Sequence, residues 1–447
     1  AVGVVPPISE GEVVELEGDM ITNAKYGEQL KITSAKICLP DSLDSISRYL
    51  SSGLFKGIGE VTADNIVDEF GENTFVIIEK YPARLTKVKG MSINKAIALH
   101  ESFIELKEMQ NTMVGLQKLD ISLNLSLKIY KTYGNSTLSV LNDNPYKLVE
   151  DVDGIGFVTA DRIAQEIGIK SDSEFRVRAG IVYCLKQAAA NNGHTYLPKD
   201  ELATMVYKLL CLDSEEYAYL FDNVIEVLEI SGIVVILQSE SKKIIMFNRY
   251  YLLERKIAER LISLNNSQKQ IQTDISADIS EFEALNGIKM HENQILAIEN
   301  AVSNGVNVIT GGPGTGKTTI IKCIMFIFKK LHLNTQLCAP TGRAAKRLAE
   351  ACSEEAKTIH RLLDLNFKNG KGYFTYSENT TLDADVVIVD EVSMCDEYVF
   401  SSLLSAIKFG GRLIVVGDKD QLPSVGAGNI LGDIIAFNKL PISYLTY

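Results

Sequence analysis

Gly311-Gly312-Pro313-Gly314-Thr315-Gly316-Lys317-Thr318-Thr319 is the stretch on which the reading of the whole chain turns. The apolar run 306–310 before it reads as a buried strand and residues 319–329 after it as the start of a helix, so the glycines make a strand-to-helix turn. Glycines there let successive backbone amides turn inward on phosphate oxygens. Lys317 adds a point charge at the β/γ oxygens, and Thr318 offers a hydroxyl to Mg2+. A nucleotide is therefore expected on Gly312, Pro313, Gly314, Thr315, Gly316, Lys317, Thr318 and Thr319. The competing reading, a glycine-rich turn with a chance Lys-Thr, does not account for the strand and helix on either side.

Two further strand-like runs lie downstream. Asp385-Val386-Val387-Ile388-Val389-Asp390-Glu391 is an apolar strand ending in two acids. At the carboxyl edge of a parallel sheet Asp390 would meet the magnesium shell, and Glu391 would take a proton from an attacking water. Arg412-Leu413-Ile414-Val415-Val416-Gly417-Asp418 is another buried strand. It delivers Gln421, whose amide can donate to a γ-phosphate oxygen and so distinguish ATP from ADP. Lysine, acid pair and glutamine in that order describe an ATP-driven motor. A nucleotide switch needs the sensor but not the water-activating acid, and a P-loop kinase or GTPase finds no guanine-type NKxD pattern.

The rest of the composition bounds the answer. A chain of 447 residues with 46% hydrophobic content can bury several cores. No apolar run approaches the ~18 residues of a membrane span, and the expectation is a cytoplasmic protein with no membrane partner. The seven cysteines lie apart without a CxxC pair and read as reduced, buried thiols. Five histidines lack metal-ligand spacing, which leaves Mg2+ carried with ATP as the metal to expect. The net charge of −12 argues against nonspecific coating of nucleic acid but permits a local basic channel.

Upstream, residues 1–40 alternate in the manner of a small β-module with a Lys25-Tyr26-Gly27 turn. Helical periods fill 41–170 and contain an internal repeat: Phe70-Gly71-Glu72-Asn73-Thr74 and Tyr133-Gly134-Asn135-Ser136-Thr137, each followed by Pro, Leu, Val and Gly at matching distances. Within it stand Gly57-Ile58-Gly59 before Ala63, Gly90-Met91-Ser92 before Ala96 and Gly154-Ile155-Gly156 before Ala160. Each reads as a helix-hairpin-helix, in which a glycine turn brings amides up to a DNA phosphate and alanine permits close helix packing. Such turns serve either as DNA contacts, through Gly57, Gly59, Gly154 and Gly156, or as packing scaffolds. Residues 171–264 read as helices followed by a hairpin, either a winged-helix-like module or a connecting bundle. The polar stretch 265–283 reads as a linker.

Taken together, His291-Glu292-Asn293-Gln294, the phosphate loop, Ala339-Pro340-Thr341-Gly342-Arg343-Ala344-Ala345, Thr358-Ile359-His360-Arg361-Leu362-Leu363, Asp390-Glu391-Val392-Ser393-Met394 and Gly417-Asp418-Lys419-Asp420-Gln421-Leu422-Pro423-Ser424-Val425 resemble helicase motifs of the RecD-like branch of superfamily 1. The β-module and helix-hairpin-helix array resemble its longer, stand-alone members. The resemblance implies an α/β P-loop (RecA-like) domain at 284–447, preceded by a small β (OB-like) module, an α-helical helix-hairpin-helix region and a winged-helix-like module. It implies an ATP-dependent helicase moving 5′ to 3′ on single-stranded DNA and meeting duplex junctions, with ATP and Mg2+ as cofactors and Lys317, Asp390, Glu391 and Gln421 as catalytic residues. Thr318 and Asp390 would hold the metal and Gln294 the adenine edge. Thr341, Gly342, Arg343 and His360 would face the strand. The insert 366–381 would be a strand-splitting hairpin or a plain surface hairpin. Family members carry a second RecA-like domain, which is expected beyond Tyr447. Without its arginines this stretch is expected to bind ATP but turn it over poorly, since an arginine finger contributes ~10³–10⁵ in rate.

Overall fold

A computed structural model describes residues 13–23, 27–239, 242–267, 274–368, 370–421, 424 and 426–446. The chain divides into two units, Ala1–Ala179 and Gly180–Tyr447.

The first unit opens with two antiparallel strands, β1 (Val13–Asn23) and β2 (Gly27–Cys38), bulged between Glu17 and Gly18. Lys25 and Tyr26 of the expected turn lie outside the described residues. Helices α1 (Leu43–Ser51), α2 (Glu60–Phe70), α3 (Thr74–Lys80), α4 (Ile93–Lys118), α5 (Leu123–Tyr133), α6 (Thr137–Asp143), α7 (Leu148–Asp151) and α8 (Phe157–Ile167) follow. The sequence repeat is a structural one. Gly71 and Gly134 end α2 and α5 at φ 53° and 54°, where a β-carbon is costly. Just beyond, Thr74 and Thr137 donate their hydroxyls to the Gly71 and Gly134 carbonyls, both at 2.7 Å. Tyr49, Phe55, Phe75 and Phe103 pack ring on ring in the core of the first repeat. In the second, Arg176 makes a two-pronged ion pair to Asp161 at 2.8 and 3.0 Å, and Tyr146 donates to the same carboxylate. Burial alone would raise the Asp161 carboxyl, but the Arg176 and Tyr146 hydrogen bonds outweigh it and hold the pKa below the usual range.

The run α9 (Glu174–Asn192), β3 (Tyr196–Pro198), α10 (Lys199–Leu210), α11 (Ser214–Ile230), β4 (Val234–Ser239) and β5 (Lys242–Phe247) leads into the second unit. Its strands form one antiparallel sheet in the order β3-β5-β4. The order is helix, strand, two helices and a hairpin, with the helices expected at 171–264 and the expected hairpin at β4–β5; β3, only three residues long, gave no periodic signal. The expected linker at 265–283 is corrected: α12 (Asn248–Ser267) and α13 (Ser276–Asn286) occupy both its ends. Polar solvent faces masked them, yet Leu261 and Leu264 of α12, and Ile279 and Phe282 of α13, enter hydrophobic cores.

Next come α14 (Glu292–Ser303), β6 (Val306–Gly311), α15 (Lys317–Lys330), β7 (Thr335–Ala339), α16 (Gly342–Cys352), β8 (Ala356–Thr358), α17 (Ile359–Leu362), β9 (Leu365–Lys368), β10 (Lys371–Phe374), β11 (Val386–Val389), α18 (Glu397–Ala406), β12 (Arg412–Gly417), α19 (Ile430–Phe437) and β13 (Ile442–Leu445). Six strands form one parallel sheet in the order β13-β6-β12-β11-β7-β8. Alternate residues serve opposite faces. Val306, Val308, Val387, Val389, Leu413 and Val415 pack with α12 and α18, while Ile309, Val386, Ile388, Ile414 and Val416 pack with α14 and α15. A sheet covered on both sides explains why its strands read as unbroken apolar runs.

Candidate nucleotide site and helix-hairpin-helix turns

Because the strands are parallel, the loops after β6, β7, β11 and β12 all leave the sheet at one edge, and residues far apart in sequence are gathered there. Helix α15 begins at Lys317, two residues before the expected start. Gly314 at φ 81° and Gly316 at φ 87° allow so abrupt an entry. A β-carbon on Gly311 would meet the Leu445 carbonyl at 2.7 Å, whereas Gly312 and Gly314 face open space. The loop is closed toward the sheet and open outward. Lys317 Nζ donates to the carbonyls of Gly311 at 2.6 Å and Gly312 at 2.9 Å, so the ammonium lies over the loop. Thr315 Oγ1 donates to the Gly312 carbonyl at 2.9 Å. Thr318 and Thr319 stand half-buried in the first turn of α15, and Pro313 is exposed.

The acid pair follows β11. The Asp390 N–H donates to the Cys338 carbonyl at 3.0 Å, and the Glu391 N–H to Asp390 Oδ1 at 2.9 Å. Glu391 adopts φ 55°, a left-handed conformation that costs a non-glycine residue about 1–3 kcal/mol. Its Oε2 is buried and no group donates to it. Burial pushes the Asp390 carboxyl up to about 6; the Glu391 amide and the Lys317 charge pull it down, and the Glu391 carboxylate pushes it up. An orphaned carboxylate oxygen, a buried carboxyl and an ammonium thus flank an open glycine loop. This donor set fits a polyphosphate carrying a hard divalent ion: amides and ammonium for phosphate, hydroxyl and carboxylate oxygens for Mg2+.

The remaining expected residues distribute as follows. Gln421 is exposed after β12, its N–H donating to the Asp418 carbonyl at 3.2 Å; Leu422, Pro423 and Val425 of that motif lie outside the described residues. Thr341 caps α16, accepting from the Ala344 N–H at 3.2 Å, with Gly342 and Arg343 exposed beside it. The His360 ring lies 5.8 Å from Phe374 of the β9–β10 hairpin. In the first unit, Gly57 and Gly154 take φ 85° and 93°, and Gly59 and Gly156 cap α2 and α8.

Profile comparison matches residues 294–427 to an "AAA domain", 105–196 to the "ATP-dependent RecD2 DNA helicase HHH domain" and 1–40 to the "ATP-dependent DNA helicase YrrC, OB-fold domain". The chain is 30% identical to the "ATP-dependent RecD2 DNA helicase" of Deinococcus radiodurans over 96% of its own length and 60% of that protein. It is 37% identical to "RecBCD enzyme subunit RecD" of Haemophilus influenzae over 34% of its length and 27% of that protein's. Two of the three matched models and both relatives are RecD-type helicases, so over nearly its whole length the chain is similar to that family. It spans less than two thirds of either relative. Among solved structures, Pif1 helicase from Candida albicans overlays with a TM-score of 0.28 at 22% identity, covering 36% of this chain and 40% of that one, too little to carry an argument.

Sequence reasoning missed two features of this chain. Both ends of the Gln294 amide are engaged within the chain: Oε1 accepts from the His291 N–H at 3.0 Å in a capping box, and Nε2 donates to the Thr315 carbonyl at 3.1 Å. Gln294 therefore ties α14 to the phosphate loop. The signal was present, since a polar N-cap with glutamine three residues on is the capping-box pattern. The second is Glu397, only 1% exposed, with no donor to either carboxylate oxygen. Burial pushes its carboxyl up to about 9, and Glu254 beside it acts in the same direction. Nothing local could have announced a meeting of α12 with α18.

Proposed function

We propose that the chain is the ATP-binding part of an ATP-dependent DNA helicase, hydrolysing Mg·ATP to move along single-stranded DNA, 5′ to 3′ by the family resemblance. The observation that carries this reading is the acid pair beside the open phosphate loop, with Glu391 Oε2 buried and undonated. Gly312, Gly314, Thr315 and Gly316 offer backbone amides to the phosphates, Pro313 having none, and Lys317 its ammonium. Thr318 and Asp390 would hold Mg2+, which would supply neutralisation of the phosphate charge. Glu391, lacking any donor, is free to accept a proton from water, and Gln421 reads the γ-phosphate. Gln294 reaches the adenine edge if its hold on Thr315 is exchanged. Thr341, Gly342, Arg343 and His360 line the strand, and the helix-hairpin-helix region makes a separate DNA contact. Residues 1–447 alone turn ATP over slowly, and the protein works in the cytoplasm. Among the described residues no helix is long and apolar enough to cross a membrane.

Fluorescent-ATP titration tests the site: Lys317→Ala should abolish Mg-dependent binding, and binding that persists would sink the reading. Duplexes with 5′ or 3′ tails test polarity in an unwinding assay, where preference for the 3′ tail overturns it.

A further inference from the structure

One turn conformation occurs three times in the first unit. Gly57, Gly90 and Gly154 take φ 85°, 89° and 93°. The residue after each donates its N–H three residues back, Ile58 to Phe55 at 3.2 Å, Met91 to Val88 at 3.1 Å and Ile155 to Val152 at 3.2 Å. Ala63, Ala96 and Ala160 then donate to the carbonyls of Gly59, Ser92 and Gly156 at 2.9, 2.9 and 3.1 Å, and all three alanines are fully buried. The backbone therefore cannot tell the hairpins apart, and only their surfaces can.

Charge separates them sharply. Around the first, Lys56 is followed in sequence by Glu60 and Asp64. The third carries Asp151 and Asp153, at the repeat positions where the second carries Lys87 and Lys89. From residue 81 to 100 the second holds Arg84, Lys87, Lys89 and Lys95 and no acid at all. All four are exposed. Among the described residues none of them pairs with a carboxylate: Lys95 reaches only the Gly90 carbonyl, at 3.4 Å, and Arg84 lies over the half-exposed Tyr81 ring at 5.1 Å. In a chain of net charge −12 an uncompensated patch of four cations opposes the average field. Such a surface fits a polyanion whose charges are evenly spaced along a backbone.

We propose that the middle hairpin, Arg84 to Lys95, is a surface for the phosphate backbone of duplex DNA, and that the first and third hairpins share its backbone only as packing scaffold. The proposal rests on the DNA reading above and narrows it to residues outside the expected set Gly57, Gly59, Gly154 and Gly156.

The test is binding of a labelled blunt duplex by fluorescence anisotropy, without nucleotide, across about 50–200 mM salt. Each neutralised phosphate contributes about 0.9 to the slope of log affinity against log salt. Lys87→Ala, Lys89→Ala and Lys95→Ala together should weaken binding at least about tenfold at low salt and flatten that slope by about 3. The corresponding Lys→Arg triple should keep it, which separates charge from folding. Asp151→Lys with Asp153→Lys should steepen the slope by about 2, by building the patch on the third hairpin. An unchanged slope in the alanine triple overturns the proposal, as does a wild-type chain that binds fluorescent ATP but no duplex; in both, the nucleotide reading stands. Failure of the wild-type chain to bind ATP or DNA removes both readings. If the triple keeps DNA but loses retention on immobilised polyglutamate, the patch serves an acidic protein and the proposal fails.

Discussion

The phosphate-loop unit and the helix-hairpin-helix unit use repetition in opposite ways. In the former, parallel strands deliver different loops to one edge, and no strand end substitutes for another: Lys317 over its glycines, the buried Asp390, the strained Glu391. In the latter, one turn is built three times to within a few degrees of φ, and what varies is the charge on its surface. Function in the first is carried by which side chains meet. In the second, backbone geometry is common property, and a motif match alone says little about contact.

The widest gap between the units should open at Glu391. Glu391→Gln keeps the shape and removes the proton acceptor, so single-turnover hydrolysis should fall by about 10²–10⁴-fold while ATP affinity is retained. Equal loss of affinity and rate would mean that Glu391 only shapes the loop. No exposed hairpin residue should move hydrolysis comparably.

Next in size is the Arg176–Asp161 pair, a stabilising device of the helical unit. The side chains are 7% and 13% exposed, so Asp161→Ala strands a buried guanidinium and should cost about 3–5 kcal/mol, read from the denaturant midpoint. Because the Asp161 pKa is depressed in the fold, this stability is present above the ordinary value near 3.8 and is lost as pH falls below it. A variant whose acid unfolding matches the wild type would remove Asp161 as its trigger.

Glu397 carries the opposite sign. With a carboxyl raised from 4.5 to about 9, the folded chain holds a proton that the unfolded chain releases, so the contribution of Glu397 to stability is full below the ordinary value near 4.5 and is lost as pH rises through about 9. At about 1.4 kcal/mol per pH unit and about 2–4 °C per kcal/mol, the melting temperature of the second unit should drop by about ten degrees between about pH 6 and 9. Glu397→Gln, which imitates the protonated form, should flatten that decline. A variant that keeps the full pH slope assigns it to Asp433, also raised by burial.

These cases also show what the sequence disclosed. The phosphate loop, the acid pair and the helices-then-hairpin order of residues 171–264 were legible, because glycines and apolar runs are local signals. Strand order was not: that β12 stands between β6 and β11 is a fact of pairing, and apolar runs look alike wherever they lie in a sheet. Helix α13 was taken for linker because its apolar stripe is short and its solvent face polar. The Glu254–Glu397 meeting joins residues that no local pattern connects.

The smallest effect gives the most direct test of the shared scaffold. Thr74 and Thr137 are both fully buried and make the same hydroxyl-to-carbonyl bond at 2.7 Å, one in each repeat. Thr→Val keeps the volume and deletes the bond, which is worth about 0.5–1.5 kcal/mol. If the repeats are one design, each substitution should shift the urea midpoint by a similar amount with unchanged m, and the double variant should add them within about 0.5 kcal/mol. Neither should alter the salt dependence of DNA binding, since no surface charge moves. A threonine that matters in only one repeat would show that the two have diverged beneath the surface as well, and the contrast between Lys87 and Asp151 could then no longer be read as charge alone on a common frame.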